Sequence, residues 1–326
     1  MTRGFLFFLV INLTLAGCAS SPDVPVEIRK EQFGEASLQW PYRSLDLQFP
    51  HGMAIDKEDN LYVADTNKHR ICKFDKNGNF IMKFGGIGSE TGRLASFRFK
   101  FPYGVAVDSY GNIYVADTNN CRIQKFDKQG NFLLDWGRFG FETGEFDRPY
   151  GIYVNKNDDV YVVDTYNHRI QKFTISGEFI MQIGGAGSGD GQFRFPLGVA
   201  MDSSSNIYVV DTGNNRVQRF TSDGSYFHKW GDRRGSETSE FDRPQGICLD
   251  SVNDVYVVDT YNHRVQKFGA FGNFILQFGH FGSQDEEFNQ PTGITIDSEG
   301  NVYVVDTYNH RIQKFTSSGS FILSIH

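Results

Sequence analysis

The stretch VYVVDTYNHRIQKF, Val302 to Phe315, decides the fold. Two runs rich in Val, Ile, Tyr and Phe flank a polar Asp-Thr-Tyr-Asn-His turn, the pattern of two short strands joined tightly. The chain repeats it. The string (Ala/Val)-Asp-Thr-x-(Asn/Lys)-x-Arg occurs six times, with its Asp at Asp65, Asp117, Asp164, Asp211, Asp259 and Asp306, at intervals of 52, 47, 47, 48 and 47 residues. The first interval is lengthened by an insertion over residues 93–100. A fixed period of this size marks a stacked or radial repeat architecture.

Outward from that stretch, each repeat adds one apolar run before it and one after. In the fifth repeat the four runs are Gly246–Leu249, Val255–Val258, Arg264–Phe268 and Phe274–Phe278. Polar turns such as Asp297-Ser-Glu-Gly-Asn301 separate them, and no stretch has helical period. Four strands with short connections form an antiparallel meander. The first two runs are apolar on both faces and the third alternates with Arg and Lys, so the outer strands are expected to meet water. A sheet of this kind cannot cover its own faces; blades stack radially and close into a ring. The expectation is an all-β, six-bladed β-propeller with four antiparallel strands per blade over residues 41–326. Residues 18–40 read as a tether. Within them Glu31-Gln32-Phe33-Gly34 echoes Leu276–Gly279 and is a candidate closing strand for the last blade.

The first seventeen residues read as a secretion signal: Arg3, then the apolar run Phe5–Ala16, too short to span about 30 Å of hydrocarbon as a helix. The run ends in Leu15-Ala16-Gly17-Cys18, which resembles the bacterial lipobox, so residues 1–17 are expected to be removed and Cys18 lipidated. Multiple acyl chains would hold the protein firmly to a membrane, and Ala19 after the cysteine favours the outer membrane, periplasmic side. Plain secretion is the alternative. Without the leader the chain has 31 basic and 39 acidic residues, a net charge of −8. That balance argues against nucleic acid as a partner, because phosphate affinity rests on Lys and Arg. Cys72, Cys121 and Cys248 replace Gln, His and a small residue at equivalent repeat positions. A Cys72–Cys121 bridge between neighbouring blades is conceivable, but no disulfide framework holds the fold.

The Pro-x-Gly opening, the Val-Tyr-Val-Val-Asp-Thr strand and the Asn-His-Arg-Ile-Gln-Lys-Phe turn and strand resemble the NHL repeat. The resemblance covers about 280 residues and lacks the Trp-Asp dipeptide of WD40 blades. Departures are local: Lys68 replaces the turn Asn in blade 1, and Cys121 and Asn215 replace the His in blades 2 and 4. Such propellers include protein-binding and RNA-binding modules, sensor domains and the peptidyl-hydroxyglycine amidating lyases, and fold alone does not choose among them.

In a four-strand meander the loop entering strand one and the turn between strands two and three share an end. The long connections therefore lie on the face of the Asp-Thr-x-Asn turns, and loops on a rigid scaffold favour ligand sites. The x of each Pro-x-Gly is expected at the mouth of the central channel: His51, Tyr103, Tyr150, Leu197, Gln245 and Thr292. Arg148 and Arg243 precede their prolines. His51, Tyr103, Arg148, Tyr150, Arg243, Gln245 and Thr292 form the candidate binding set, mixing aromatics and Arg as recognition surfaces do. The alternative is that they merely cap a solvated channel. The six Asp residues read as turn-amide acceptors, and His69, His168, His263 and His310, with the six Arg residues, as inter-blade packing.

By resemblance, an amidating lyase would gather several Pro-His imidazoles on zinc, yet only His51 stands at such a position. A calcium-dependent lactonase would need carboxylates in the channel, which the placed positions do not supply. Other catalytic motifs are missing: no Gly-x-Ser-x-Gly, His-Glu-x-x-His or phosphate-loop pattern occurs. The expectation is a non-catalytic module without cofactor or metal, anchored by lipid at the envelope, that binds a protein, peptide or glycan.

Overall fold

The computed structural model describes residues 46–88 and 98–326. They form six four-stranded antiparallel sheets, each a simple meander in chain order. Blade 1 is Pro50–Ile55, Leu61–Asp65, Arg70–Phe74 and Phe80–Gly85; blade 6 is Ile294–Ile296, Val302–Asp306, Arg311–Phe315 and Phe321–Ile325. Among the described residues the helical content is six single 3-10 turns, one per Thr-x-(Asn/Lys), each ended by a left-handed residue such as His310 (φ 58°).

Alternation along the second strand explains why no blade is stable alone. In Leu61–Asp65 every residue is buried, but Val63 packs toward blade 6 while Tyr62 and Ala64 pack toward blade 2. The core is thus six apolar layers, each between two neighbouring sheets. Val304, fully buried between blades 5 and 6, sits in such a layer. The layers also settle the cysteines. Cys72 faces the layer between blades 6 and 1, Cys121 the layer between blades 2 and 3, and both thiols are free. Side chains that point to different layers cannot be bridged without moving backbone.

The ring closes by a contact that also joins four other neighbouring pairs of blades, though not blades 5 and 6, where Thr260 Oγ1 has no partner among the described residues. Thr66 Oγ1 donates to the Pro102 carbonyl of the next blade at 2.7 Å, and Thr307 does the same to Pro50 at 2.9 Å. Both closing blades have four strands of their own; the candidate closing strand Glu31–Gly34, like the leader and Cys18, lies outside the described residues.

The third strand departs from expectation. It does not meet water: Arg264–Phe268 and Arg311–Phe315 are buried throughout. Its polar residues are consumed internally. Lys314 lies 4.8 Å above the Tyr303 ring and 3.0 Å from the Asp297 carboxylate. Arg311 Nε donates to Asp306 at 2.8 Å, and Gln313 Nε2 to the Glu287 carbonyl at 2.7 Å. Water instead meets the fourth strand, whose Ile81, Leu133, Ile180 and Ile275 are exposed.

The recurring Asp also differs from its expected role. Its side chain accepts no backbone amide of its own turn. Asp211 Oδ1 accepts the Arg194 amide of the loop entering the blade, and Oδ2 accepts from Asn214, Arg216 and Gln218. The Asp, Arg and Gln together fasten each long loop to the strands beneath it.

Candidate functional site

The first strands of blades 1 and 3 begin at proline, and Pro50 pairs with Asp65 and Pro149 with Asp164, which puts the Pro-x-Gly and Asp-Thr turns at one end of the sheet. The glycine is a packing requirement. A Cβ on Gly52 would stand 2.3 Å from the Tyr103 carbonyl oxygen of the next blade, and one on Gly293 would stand 2.2 Å from that of His51. Six such backbone approaches draw the x residues into a ring. His51, Tyr103, Tyr150, Leu197, Gln245 and Thr292 all line one chamber of about 110 Å³ at the long-loop end of the channel. Met53, Val105, Ile152, Val199, Ile247 and Ile294 form its apolar floor and also line a second chamber of about 310 Å³ on the far side. A water occupies about 30 Å³ of liquid, so the upper chamber has room for one group of side-chain size.

Three rings run along its rim. His51 meets Tyr103 edge-on at 4.3 Å between centroids, and Tyr103 lies 4.2 Å from Tyr150. Burial pushes the Tyr103 and Tyr150 phenols upward, so both stay neutral. Burial lowers His51 from about 6.5 to about 4, against a bond to the Phe49 carbonyl. A carbonyl only accepts, so His51 Nδ1, 2.9 Å from that oxygen, carries the proton and Nε2 is bare.

His51 therefore makes stability depend on pH. Between about pH 6.5 and 4 the unfolded chain binds a proton that the native imidazole refuses, so stability falls as pH falls through that window. The loss should reach at most about 3 kcal/mol, since each tenfold difference in proton affinity is worth about 1.36 kcal/mol. Urea unfolding of the protein and of His51→Gln at about pH 7 and about pH 4.5 checks this: the variant should lose less.

Of the remaining candidate residues, Gln245 and Thr292 line the chamber and the two arginines do not. Thr292 is buried and its hydroxyl is engaged, 2.7 Å from Thr307 Oγ1 and 3.3 Å from the His51 carbonyl, so it has little left for a ligand. Arg148 and Arg243 do not line the chamber. They lie outside it on the same face, stacked on Tyr166 at 4.7 Å and on Tyr261 at 5.1 Å.

Each residue before the proline is left-handed although none is glycine: Phe49, Phe101, Arg148, Phe195, Arg243 and Gln290 have φ between 46° and 52°. That geometry costs free energy and is held from outside. The amides of Phe49, Phe101, Phe195 and Gln290 donate to Nδ1 of His310, His69, His168 and His263 in the preceding blade, at 3.0–3.1 Å. Nothing in sequence marks these six positions as strained, because the usual signal, a glycine, is absent.

The donor set does not fit a zinc or calcium centre. His51 is the one imidazole at the chamber and neither chamber carries a carboxylate. Among the described residues no three His, Cys, Asp or Glu side chains converge. Zinc with an open position takes three protein ligands.

The NHL repeat profile matches six times, at residues 47–74, 99–126, 146–173, 193–220, 241–268 and 288–315. The peptidyl-alpha-hydroxyglycine alpha-amidating lyase 1 of Drosophila melanogaster is 30% identical over 111 residues, 34% of this chain and 20% of that protein. The NHL repeat-containing protein 2 of Gallus gallus is 42% identical over 84 residues, 25% of this chain and 11% of that protein. These matches thus span a fifth or less of the relatives' own length. The virginiamycin B lyase of Staphylococcus aureus superposes with a TM-score of 0.60 at 15% identity, covering 85% of this chain and 84% of that one. At that identity the likeness is one of fold.

Proposed function

This chain belongs to the NHL repeat family, and from that premise we propose that it is a non-catalytic recognition propeller whose long-loop face binds a protein, peptide or glycan. The observation that carries the reading is the upper chamber, rimmed by His51, Tyr103 and Tyr150 and surrounded by exposed Tyr166, Tyr261 and Tyr308. Large aromatics with few rotors, set on a backbone fixed by inter-blade bonds, lose little entropy on contact. The lipobox-like Leu15–Cys18 supports an envelope location with a lipid on Cys18; Cys18→Ala should abolish incorporation of labelled palmitate.

Envelope proteins captured on the immobilised protein test the recognition reading. Tyr150→Ala should weaken capture at least about tenfold with an unchanged melting curve, since its ring lies at the rim. Val304→Asp should unfold the protein by placing a charge in an apolar layer. The alternative is a lyase-type enzyme, supported by the 30% identical stretch of the Drosophila protein. Turnover of a peptidyl-hydroxyglycine substrate that is lost in His51→Ala would replace the binding reading.

A further inference from the structure

We infer that Arg148 and Arg243 are a matched pair of carboxylate-binding forks for an acidic peptide, with Asn215 holding the Arg243 backbone and Cys121 at the equivalent place for Arg148. This pairing rests on the reading of the long-loop face as a recognition surface and names the chemistry that face selects.

The six blades act as controls for one another. In four of them the residue before the proline is uncharged and the preceding blade holds it with a histidine: His69 for Phe101, His168 for Phe195, His263 for Gln290 and His310 for Phe49. Where that residue is Phe, the imidazole also packs edge-on against its ring at 4.4–4.6 Å. In the other two blades the residue is Arg, and in both the holder is no longer histidine. Asn215 Oδ1 accepts the Arg243 amide at 2.9 Å, and Cys121 stands at the equivalent place in the blade before Arg148. The two departures from the repeat thus coincide with the two guanidiniums. The physical reason is direct: an imidazole packs well on a phenyl ring, but it can take a proton, and a cation beside Arg would repel it. Asn keeps the acceptor without that charge, and Cys places no imidazole beside Arg148.

What the change releases is a free fork. Three exposed Arg residues of the long loops are neutralised, Arg138 by Glu145 at 2.7 Å, Arg233 by Glu240 at 3.2 Å and Arg234 by Asp242 at 3.0 Å, whereas Arg194, beside Phe195, is exposed without a carboxylate partner among the described residues. Arg148 and Arg243 have no carboxylate partner among the described residues. Each is exposed and lies flat on a tyrosine ring of its own blade, with Arg148 Nη1 3.1 Å from the Tyr166 hydroxyl. A guanidinium stacked in this way has lost most of its rotor freedom and still presents donors suited to a carboxylate. The pair stands in blades 3 and 5 and flanks Phe195 of blade 4. Fixed positive forks on either side of an apolar contact fit an extended peptide with spaced acidic side chains, and the chamber admits one side chain beside them.

Fluorescence anisotropy with labelled hexa-aspartate, and hexa-asparagine as its neutral counterpart, tests the pairing. Hexa-aspartate should bind more tightly, and Arg148→Gln and Arg243→Gln should each weaken it about tenfold, the double variant about a hundredfold. Asn215→His should weaken hexa-aspartate about as much as Arg243→Gln does. Adding Arg243→Phe to Asn215→His should restore the melting temperature without restoring affinity, which a purely structural holder would not separate. Equal binding of the two peptides, full affinity in the Gln variants, or preference for a galacturonate hexamer would overturn the inference. If capture of envelope proteins still depends on Tyr150 while the Gln variants capture normally, the recognition face stands and this pairing falls.

Discussion

Gly104→Ala is expected to lose about 3–5 kcal/mol of stability, the size of other severe packing lesions. A Cβ there would stand 2.1 Å from the Tyr150 carbonyl oxygen, 3.1 Å from Ile152 Cγ2 and 3.3 Å from the Ile152 amide nitrogen. The nearest of these is backbone and belongs to the next blade, so relief requires moving a whole sheet. A sheet in a closed ring cannot move without spoiling the interface on its other side. Since domains of ordinary stability have about 5–15 kcal/mol in total, one methyl group should remove a large share. Gly185→Ala is the control: its Cβ meets nothing within 4 Å, and its φ is not left-handed. It should shift the denaturant midpoint little, or upward, by lowering the entropy of the unfolded chain. Equal midpoints for the two variants would show that the blades do not meet as described.

The second large effect belongs to Asp211→Ala, also expected at about 3–5 kcal/mol. Arg216 and Asp211 are both fully buried, with Nε 2.7 Å from Oδ2. Removal of the carboxylate strips a guanidinium that water does not reach of its buried partner, leaves the Arg194 amide without its acceptor, and takes one of two acceptors from each of Asn214 and Gln218. Burial alone pushes the Asp211 carboxyl upward, and the donors around it oppose that push. Arg216 also holds the loop carbonyls of Ser188, Gly189 and Gln192. The variant should therefore lose both stability and loop order, seen as faster amide exchange over residues 188–194. The pair Asp211→Leu with Arg216→Met should cost less than Asp211→Ala alone, because two apolar groups leave no uncompensated charge.

These two effects mark what sequence could and could not reveal about the site. The glycine of Pro-x-Gly was legible as a repeated feature, but its reason was not, since that reason is the carbonyl of a residue in the next repeat. The chamber residues were legible too, because strand direction alone places the x positions at one end of the channel. Arg148 and Arg243 were legible only as neighbours of proline on the long-loop face; the structure seats them on that face outside the chamber, over Tyr166 and Tyr261. The amide at Asn215 looked like an ordinary substitution until the contact with the following blade gave it a partner.

Sequence by itself determined the class, the number of blades, the strand count and the ring at the channel, because each follows from local periodicity and chain direction. Only the tertiary structure decided which strand meets water, which carboxylate holds which loop, which layer each thiol faces and which guanidiniums remain free. The physical reason is common to all four: a blade buries both faces against its neighbours, so the surroundings of a side chain are set by another repeat. Arg, Gln and Lys in the third strand look solvent-bound in one repeat, and between two repeats, as in Arg264–Phe268 and Arg311–Phe315, they are buried and bonded to neighbouring loops and carboxylates.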